Sequence, residues 1–156
     1  VQMYGGYADV EAFVGAANQI SHKMVYNGDI NNREAFLAVK ARLPQVDSFM
    51  LGRYLLVNPF LAEELRGAQI NAAEKEARFV AFYADLFAIY QARVPHPKHL
   101  MDRMKAYWHY FAAGFEPQAR KQIKKIQRAQ TLEAFSRYTD IFLQNQPPRI
   151  NDPWME

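Results

Sequence analysis

The spacing of apolar positions changes along this chain, and the change divides it near residue 70. Before that point, short apolar runs alternate with stretches in which apolar residues recur every three or four positions. The runs predict buried strands over residues 24–26 and 48–51, and the helical spacing predicts amphipathic helices around them. The resulting order of helix, strand, helix, strand and helix is typical of a parallel sheet covered by crossover helices.

Polar residues and proline give the expected limits of these helices. Asn31 and Glu34 have the spacing of a capping box before the second helix, and Pro44 predicts its end. A short helix is expected over residues 55–65. Two strands alone leave unpaired edges, so we expect this half to be a slice of a larger α/β domain or to pair with another chain. The same edges make self-association of the chain a hypothesis.

The second half of the chain shows helical spacing only. Asn71 and Glu74 repeat the capping-box spacing. An apolar stripe is then expected to pack from one helical face: Phe79, Phe82, Tyr83, Leu86, Ile89 and Tyr90. Three further amphipathic stretches with short connections predict an up-and-down four-helix bundle. The predicted fold is therefore α-rich α/β, with a strand-containing part over residues 1–69, a helical bundle over 70–146 and a tail over 147–156.

Composition excludes several classes of protein. Of the 156 residues, 50% are hydrophobic and 22% are charged, which excludes a disordered polar chain. The absence of cysteine excludes disulfides, thiolate metal sites and a catalytic thiol within these residues. No apolar run approaches the roughly 20 residues that span a bilayer, and no signal peptide opens the chain. We therefore expect no membrane partner and a cytoplasmic location, and the opening on Val1 is expected of a piece of a longer protein.

Basic residues are concentrated between residues 98 and 128. This segment has eight Lys or Arg residues against two Asp or Glu, although the formal net charge of the chain is only +3. Four of these cations have i, i+3, i+4 and i+7 spacing and share a helical face: Lys121, Lys124, Lys125 and Arg128. That face lies opposite Ile123 and Ile126. We predict that it binds RNA phosphates, with Lys98 and Lys105 extending the patch; an ordinary solvated helix face is the alternative.

Each predicted strand is followed by a turn that suits an anion. The first turn is Asn27-Gly28-Asp29 and the second is Gly52-Arg53. A hairpin is the common use of Asn-Gly, but the helical spacing that follows disfavours a hairpin here. Backbone N–H groups beside a guanidinium suit a phosphate, whereas the alternative for the second turn is a glycine that sets chain direction beside a surface arginine. In (β/α)8 barrels, the loops after the last two strands frequently form one phosphate site.

Several segments together resemble the tRNA-dihydrouridine synthase family: Gln2, Tyr4 and Gly5, MVYNGDI at 24–30, FMLGR at 49–53, NPFL at 58–61 and KAYW at 105–108. The first four are similar to the end of that family's barrel, and the last is similar to its C-terminal helical domain. The resemblance covers nearly the whole chain. It implies a C-terminal slice of a (β/α)8 barrel, comprising the last two strands with their helices, followed by a helical domain that binds tRNA.

The family consists of FMN-dependent enzymes that reduce a uridine of tRNA to dihydrouridine, usually with NADPH. By resemblance, both turns would hold the phosphate end of FMN: Asn27, Gly28, Asp29, Gly52 and Arg53. Tyr54 departs from the family, in which a second glycine is common at this position. The family's catalytic cysteine lies on an earlier barrel loop. This chain alone is therefore expected to be inactive and to bind FMN weakly or not at all.

Two alternatives to this function stay open. One is a non-enzymatic helical module whose basic face binds RNA or an acidic protein, and the other is a different phosphate-binding barrel enzyme. A metal site at His96 and His99 is not expected, because no further ligand completes a set at a recognisable spacing. Helical spacing places Trp108 in the core, whereas Tyr110 is expected to be exposed, where it would stack on a base.

Overall fold

The computed structural model describes residues 8–145, so the predicted tail and the resemblance at residues 2–5 lie outside the described part. The first half contains α1 (Val10–Ala17), β1 (Val25–Tyr26), α2 (Arg33–Arg42), β2 (Ser48–Phe49), α3 (Tyr54–Val57) and α4 (Leu61–Leu65). The second half contains α5 (Ala72–Arg93), α6 (Pro97–Phe111), 3-10 turns at Ala112–Gly114 and Pro117–Ala119, α7 (Arg120–Arg128) and α8 (Leu132–Asn145). The described part is rich in helix, as predicted.

The two described strands form a parallel pair, as their order with the helices predicts. Val25 is in register with Ser48, and Tyr26 with Phe49. The Met50 N–H continues the pairing by donating to the Tyr26 carbonyl at 2.8 Å. Both strands therefore end at the same edge of the sheet. Each strand is shorter than predicted, and the side chains of Val25 and Met50 are 45% and 53% exposed.

A first cluster of buried side chains holds α1 and α2 against the strands. Its centre consists of Tyr26, Ile30, Leu43 and Val46. The Phe13 ring meets the Tyr26 ring edge-on, with centroids 5.1 Å apart. Burial of these aromatic and aliphatic groups is the main favourable contribution to folding of this half.

A second and larger cluster joins α5, α6, α7 and α8. Trp108 is completely buried at its centre, as predicted, and its ring lies 5.6 Å from that of Tyr83 and 5.4 Å from that of Phe142. The helix α5 begins at the predicted cap, because the Asn71 side chain accepts a hydrogen bond from the Glu74 N–H at 2.9 Å. The four helices thus share one core.

Short helices α3 and α4 join the two halves. Gly114, after α6, lies so close to α3 that a Cβ atom there would be 2.2 Å from the Val57 carbonyl oxygen. Arg78 of α5 donates to both carboxylate oxygens of Glu63 in α4, at 3.0 and 2.5 Å. The same guanidinium lies 5.0 Å from the centroid of the Phe60 ring. These contacts fix the helical half against the end of α3 and against α4.

The structure corrects two predicted helix limits in the first half. Asn32 rather than Asn31 caps α2, because its side chain accepts from the Ala35 N–H at 2.8 Å; adjacent asparagines are chemically equivalent caps, so spacing alone did not separate them. The single helix over residues 55–65 is also wrong. The chain breaks between α3 and α4 at Asn58-Pro59, because Pro59 lacks an N–H and the Asn58 side chain accepts from the Phe60 N–H at 3.0 Å instead.

The predicted apolar stripe of α5 is only partly correct. Phe79 and Tyr83 are buried, but Phe82 is 37% exposed and Ile89 is 50% exposed. At about 100° per residue, Phe79 and Tyr83 lie at the centre of one helical face, and Phe82 and Ile89 lie at one edge of it. The packed face is therefore narrower than the apolar face of the sequence.

Candidate functional site

Helix α7 owes its position to two isoleucines. Ile123 and Ile126 are 2% and 0% exposed and pack into the core that α7 shares with α6 and α8. Its nine residues include five basic side chains and no acidic one. A helix of this length and charge has little stability by itself, so burial of the isoleucine face must hold it in place.

The four predicted cations of α7 lie on the face opposite these isoleucines. Each of their side chains is exposed: Lys121, Lys124, Lys125 and Arg128. None of them forms an ion pair with a carboxylate among residues 8–145. The arrangement is a solvent-facing row of positive charge on one side of a short, well-anchored helix.

The two lysines of α6 that were expected to extend this patch differ in their surroundings. Lys98 is exposed in the first turn of α6. Lys105 is half-buried, and its ammonium group donates a hydrogen bond to the Ala129 carbonyl at the C-terminal end of α7. Gln127 adds a second link between these helices, since its Nε2 group donates to the Trp108 carbonyl at 3.4 Å.

The turn after β1, Asn27-Gly28-Asp29, makes contacts with other residues of the chain, and it is one of the two strand-end turns that follow β1 and β2. A Cβ atom at Gly28 would lie 2.2 Å from the Tyr26 hydroxyl and 2.4 Å from the ring carbon that carries it, so a larger residue at this position would have to displace the buried Tyr26 ring. The Asp29 carboxylate accepts a hydrogen bond from the Ala8 N–H at 2.8 Å. Burial, and secondarily the charge of Asp29, raise the pKa of Tyr26. Gly28 and Asp29 therefore have structural roles in this loop, and the Asp29 carboxylate gives the loop a negative charge.

The second strand-end turn is more open. Nothing lies within 4 Å of a Cβ atom placed at Gly52, and both Gly52 and Arg53 are exposed. Because β1 and β2 are parallel neighbours, this turn leaves the sheet at the same edge as exposed Asn27. An open glycine beside an exposed guanidinium suits an anionic group. Asn27, Gly52 and Arg53 suit an anion better than Gly28 and Asp29.

The remaining polar and aromatic candidates are histidines and tyrosines at the start of α6 or within it. The His96 and His99 rings lie 4.6 Å apart at the start of α6, and no group of three or more potential metal ligands occurs within the described residues. Tyr110 is half-buried rather than exposed. The Tyr107 hydroxyl shares a 2.7 Å hydrogen bond with the Tyr90 hydroxyl, which ties α6 to α5.

A groove between α5 and α8 is a feature that the sequence did not reveal. It has a volume of about 360 Å³, with Tyr83, Thr139 and Asp140 among its lining residues. Burial raises the pKa of Tyr83 to about 12, and the nearby Asp140 carboxylate contributes. The Tyr83 hydroxyl accepts a hydrogen bond from Trp108 Nε1 at 3.3 Å. The groove forms where helices distant in sequence meet, so no local pattern could indicate it.

No protein-family model, no curated protein and no solved structure matches this chain. No helix within residues 8–145 has the length and apolar character needed to cross a membrane. Support for a function comes from the residues and contacts described above.

Proposed function

We propose that this chain is the C-terminal part of a flavin-dependent tRNA-dihydrouridine synthase, and that α7 binds phosphates of the tRNA substrate. The observation that carries the proposal is the exposed cationic face of α7, which has no ion-pair partner among the described residues. A face without carboxylate partners is available to an external polyanion. The half of the chain that contains it would act as a helical bundle that holds RNA.

The dimensions of this face suit a nucleic acid. Lys121 and Arg128 are seven residues apart, which corresponds to about 10 Å along a helix. A nucleic-acid duplex presents several phosphate charges over that length. Lysine and arginine side chains that neutralise phosphates release counterions, which gives an affinity that falls steeply with salt. An isolated surface carboxylate on a protein partner would match this row less well, because it presents fewer charges per unit length.

The strand-end turns support the flavin part of the proposal. Both turns leave the same edge of a parallel strand pair, as the last two loops of a (β/α)8 barrel also do. Asn27, Gly52 and Arg53 would hold the phosphate end of FMN at this edge. A bound flavin would supply hydride-transfer chemistry for reduction of the uracil ring, with NADPH as the reductant of the full-length enzyme. The remaining strands and the cysteine of the family would come from residues that precede this chain.

The experiment that tests the proposal is a salt titration of tRNA binding. Binding of an unmodified tRNA transcript to the chain is followed by fluorescence anisotropy at several KCl concentrations. The variant that combines Lys121→Ala, Lys124→Ala and Lys125→Ala should bind more weakly. The slope of log K against log[KCl] should become shallower by roughly 2–3, since each lost phosphate contact removes about 0.7–0.9.

A matched control removes the same three charges from the strand-containing half. Lys23, Arg33 and Lys40 are exposed there, and their combined replacement by alanine should leave the slope near that of the unsubstituted chain. An equal change of slope in both variants would show that the effect depends on the net charge of the chain and not on α7. Absence of tRNA binding by the unsubstituted chain at low salt would refute the proposal, and would favour an acidic protein as the partner of α7.

A further inference from the structure

We infer that Lys105 is a positioning residue for the RNA-binding face of α7 rather than a phosphate ligand. The inference rests on the proposed function and adds a residue on a different helix to it. Lys105 belongs to α6, and its ammonium group contacts the backbone at the end of α7. It therefore acts on RNA through the placement of other cations.

The cationic face of α7 needs such support. Five basic residues within nine positions create several like-charge pairs at i, i+3 and i, i+4, and these pairs weaken a helix. Helices of this length are also marginal because few hydrogen bonds offset the cost of nucleation. Ile123 and Ile126 anchor the middle of α7, but Arg128 lies beyond them in the last turn. Fraying of this turn would release Arg128 and Lys125 from the row.

Lys105 meets the end of α7 at its C-cap residue, Ala129. The C-cap carbonyl of a helix lacks an intrahelical donor and needs another partner. The Lys105 ammonium donates to the Ala129 carbonyl, directly after Arg128. Gln127 links the same turn to α6 by donating to the carbonyl of fully buried Trp108. The last turn of α7 is thus tied to a rigid part of α6 at two points.

The burial of Lys105 separates it from the phosphate ligands. Its side chain is half-buried, whereas all four cations of the α7 row are exposed. Its donor points to a backbone oxygen of the protein. Loss of the ammonium should therefore weaken RNA binding without removing a phosphate contact, and this distinction is measurable.

The test compares Lys105→Met, which keeps most of the side-chain volume without the charge, with Lys105→Arg, which keeps a cationic donor. Lys75→Met is the matched control, because Lys75 is also a half-buried lysine with a protein partner, Glu64, and it lies on α5. Binding of the tRNA transcript is measured against KCl for the full chain. Amide hydrogen exchange over residues 126–134 is measured without RNA.

For Lys105→Met we expect an affinity about 3- to 10-fold weaker, a salt slope within about 0.3 of the unsubstituted chain, and about 10-fold faster exchange at the end of α7. Lys105→Arg should restore most of the affinity. Lys75→Met should change neither the affinity nor the exchange at α7 by more than about twofold.

Three outcomes would overturn the inference. A slope shallower by about 0.7–0.9 with unchanged exchange would make Lys105 a direct phosphate ligand. Faster exchange with unchanged affinity would make its role purely structural. Absence of tRNA binding by the unsubstituted chain would overturn the proposed function together with this inference. This outcome differs from the first two, because both of them are observed only if the unsubstituted chain binds tRNA.

Discussion

Replacement of Gly114 by alanine tests how tightly the two halves are joined. A Cβ atom at this position would lie 2.2 Å from the Val57 carbonyl oxygen and 3.2 Å from the carbonyl carbon. The first distance is more than 1 Å short of the roughly 3.5 Å at which nonbonded atoms attract. Because the obstacle is backbone, it does not rotate away as a flexible side chain would. The 3-10 turn or the end of α3 has to shift.

The size of the effect follows from two opposing contributions. Overpacking of this kind typically costs about 1–3 kcal/mol. Alanine also restricts the unfolded chain, which stabilises by about 0.4–1 kcal/mol. The steric cost is larger, and the middle of each range gives a free energy of unfolding lowered by about 1.3 kcal/mol for Gly114→Ala. For a domain of this size, Tm falls by roughly 2–4 °C per kcal/mol.

The measurement is urea unfolding followed by circular dichroism, with Gly15→Ala as the matched control. Gly15 lies within α1 and has nothing within 4 Å of its Cβ position, so the same substitution should stabilise by up to about 1 kcal/mol. The two substitutions should thus change stability in opposite directions. A Gly114→Ala protein as stable as the unsubstituted chain would show that this contact is loose.

Three further variants test the turns after the two strands and the second core. Gly28→Ala should lower the free energy of unfolding by about 1–3 kcal/mol, because its methyl group meets the Tyr26 ring. Gly52→Ala should have little effect on unfolding in urea, because nothing lies near its Cβ position. Equal effects of the two substitutions would contradict the role of Tyr26. The pKa of Tyr83 is raised from about 10 to about 12 in the folded chain. The stability that comes from keeping this hydroxyl neutral is therefore complete below pH 10. It is lost as the pH rises toward 12, by about 1.4 kcal/mol per pH unit. Urea midpoints between pH 9 and 11 should therefore fall less steeply for Tyr83→Phe than for the unsubstituted chain, and parallel curves would exclude this effect.

Local pattern was sufficient for the order of the elements and for features within one of them. The parallel strand pair, the Asn71 cap and the burial of Trp108 all followed from spacing, because periodicity and capping chemistry act within a few residues. The contact of Lys105 with α7 and the approach of Gly114 to α3 did not follow. Both depend on how elements distant in sequence pack together, and a lysine or a glycine in a helical stretch carries no signal of its distant neighbour.

The path from the strand-end turns to α7 is short, and this has a consequence for the proposed function. Arg53 immediately precedes α3, Val57 ends α3 four residues later, and Gly114 contacts Val57 just before the turn that leads into α7. A phosphate at Arg53 and an RNA on α7 would therefore be related through one helix of about 6 Å and one backbone contact. Residues 115–119 complete the path from Gly114 to α7, and Phe115 and Ala119 among them are buried, so the distance between cofactor and RNA would be set by packing rather than by a flexible linker. The same reasoning explains why glycine is needed at position 114, since any side chain there would move α7 relative to the turn that starts α3.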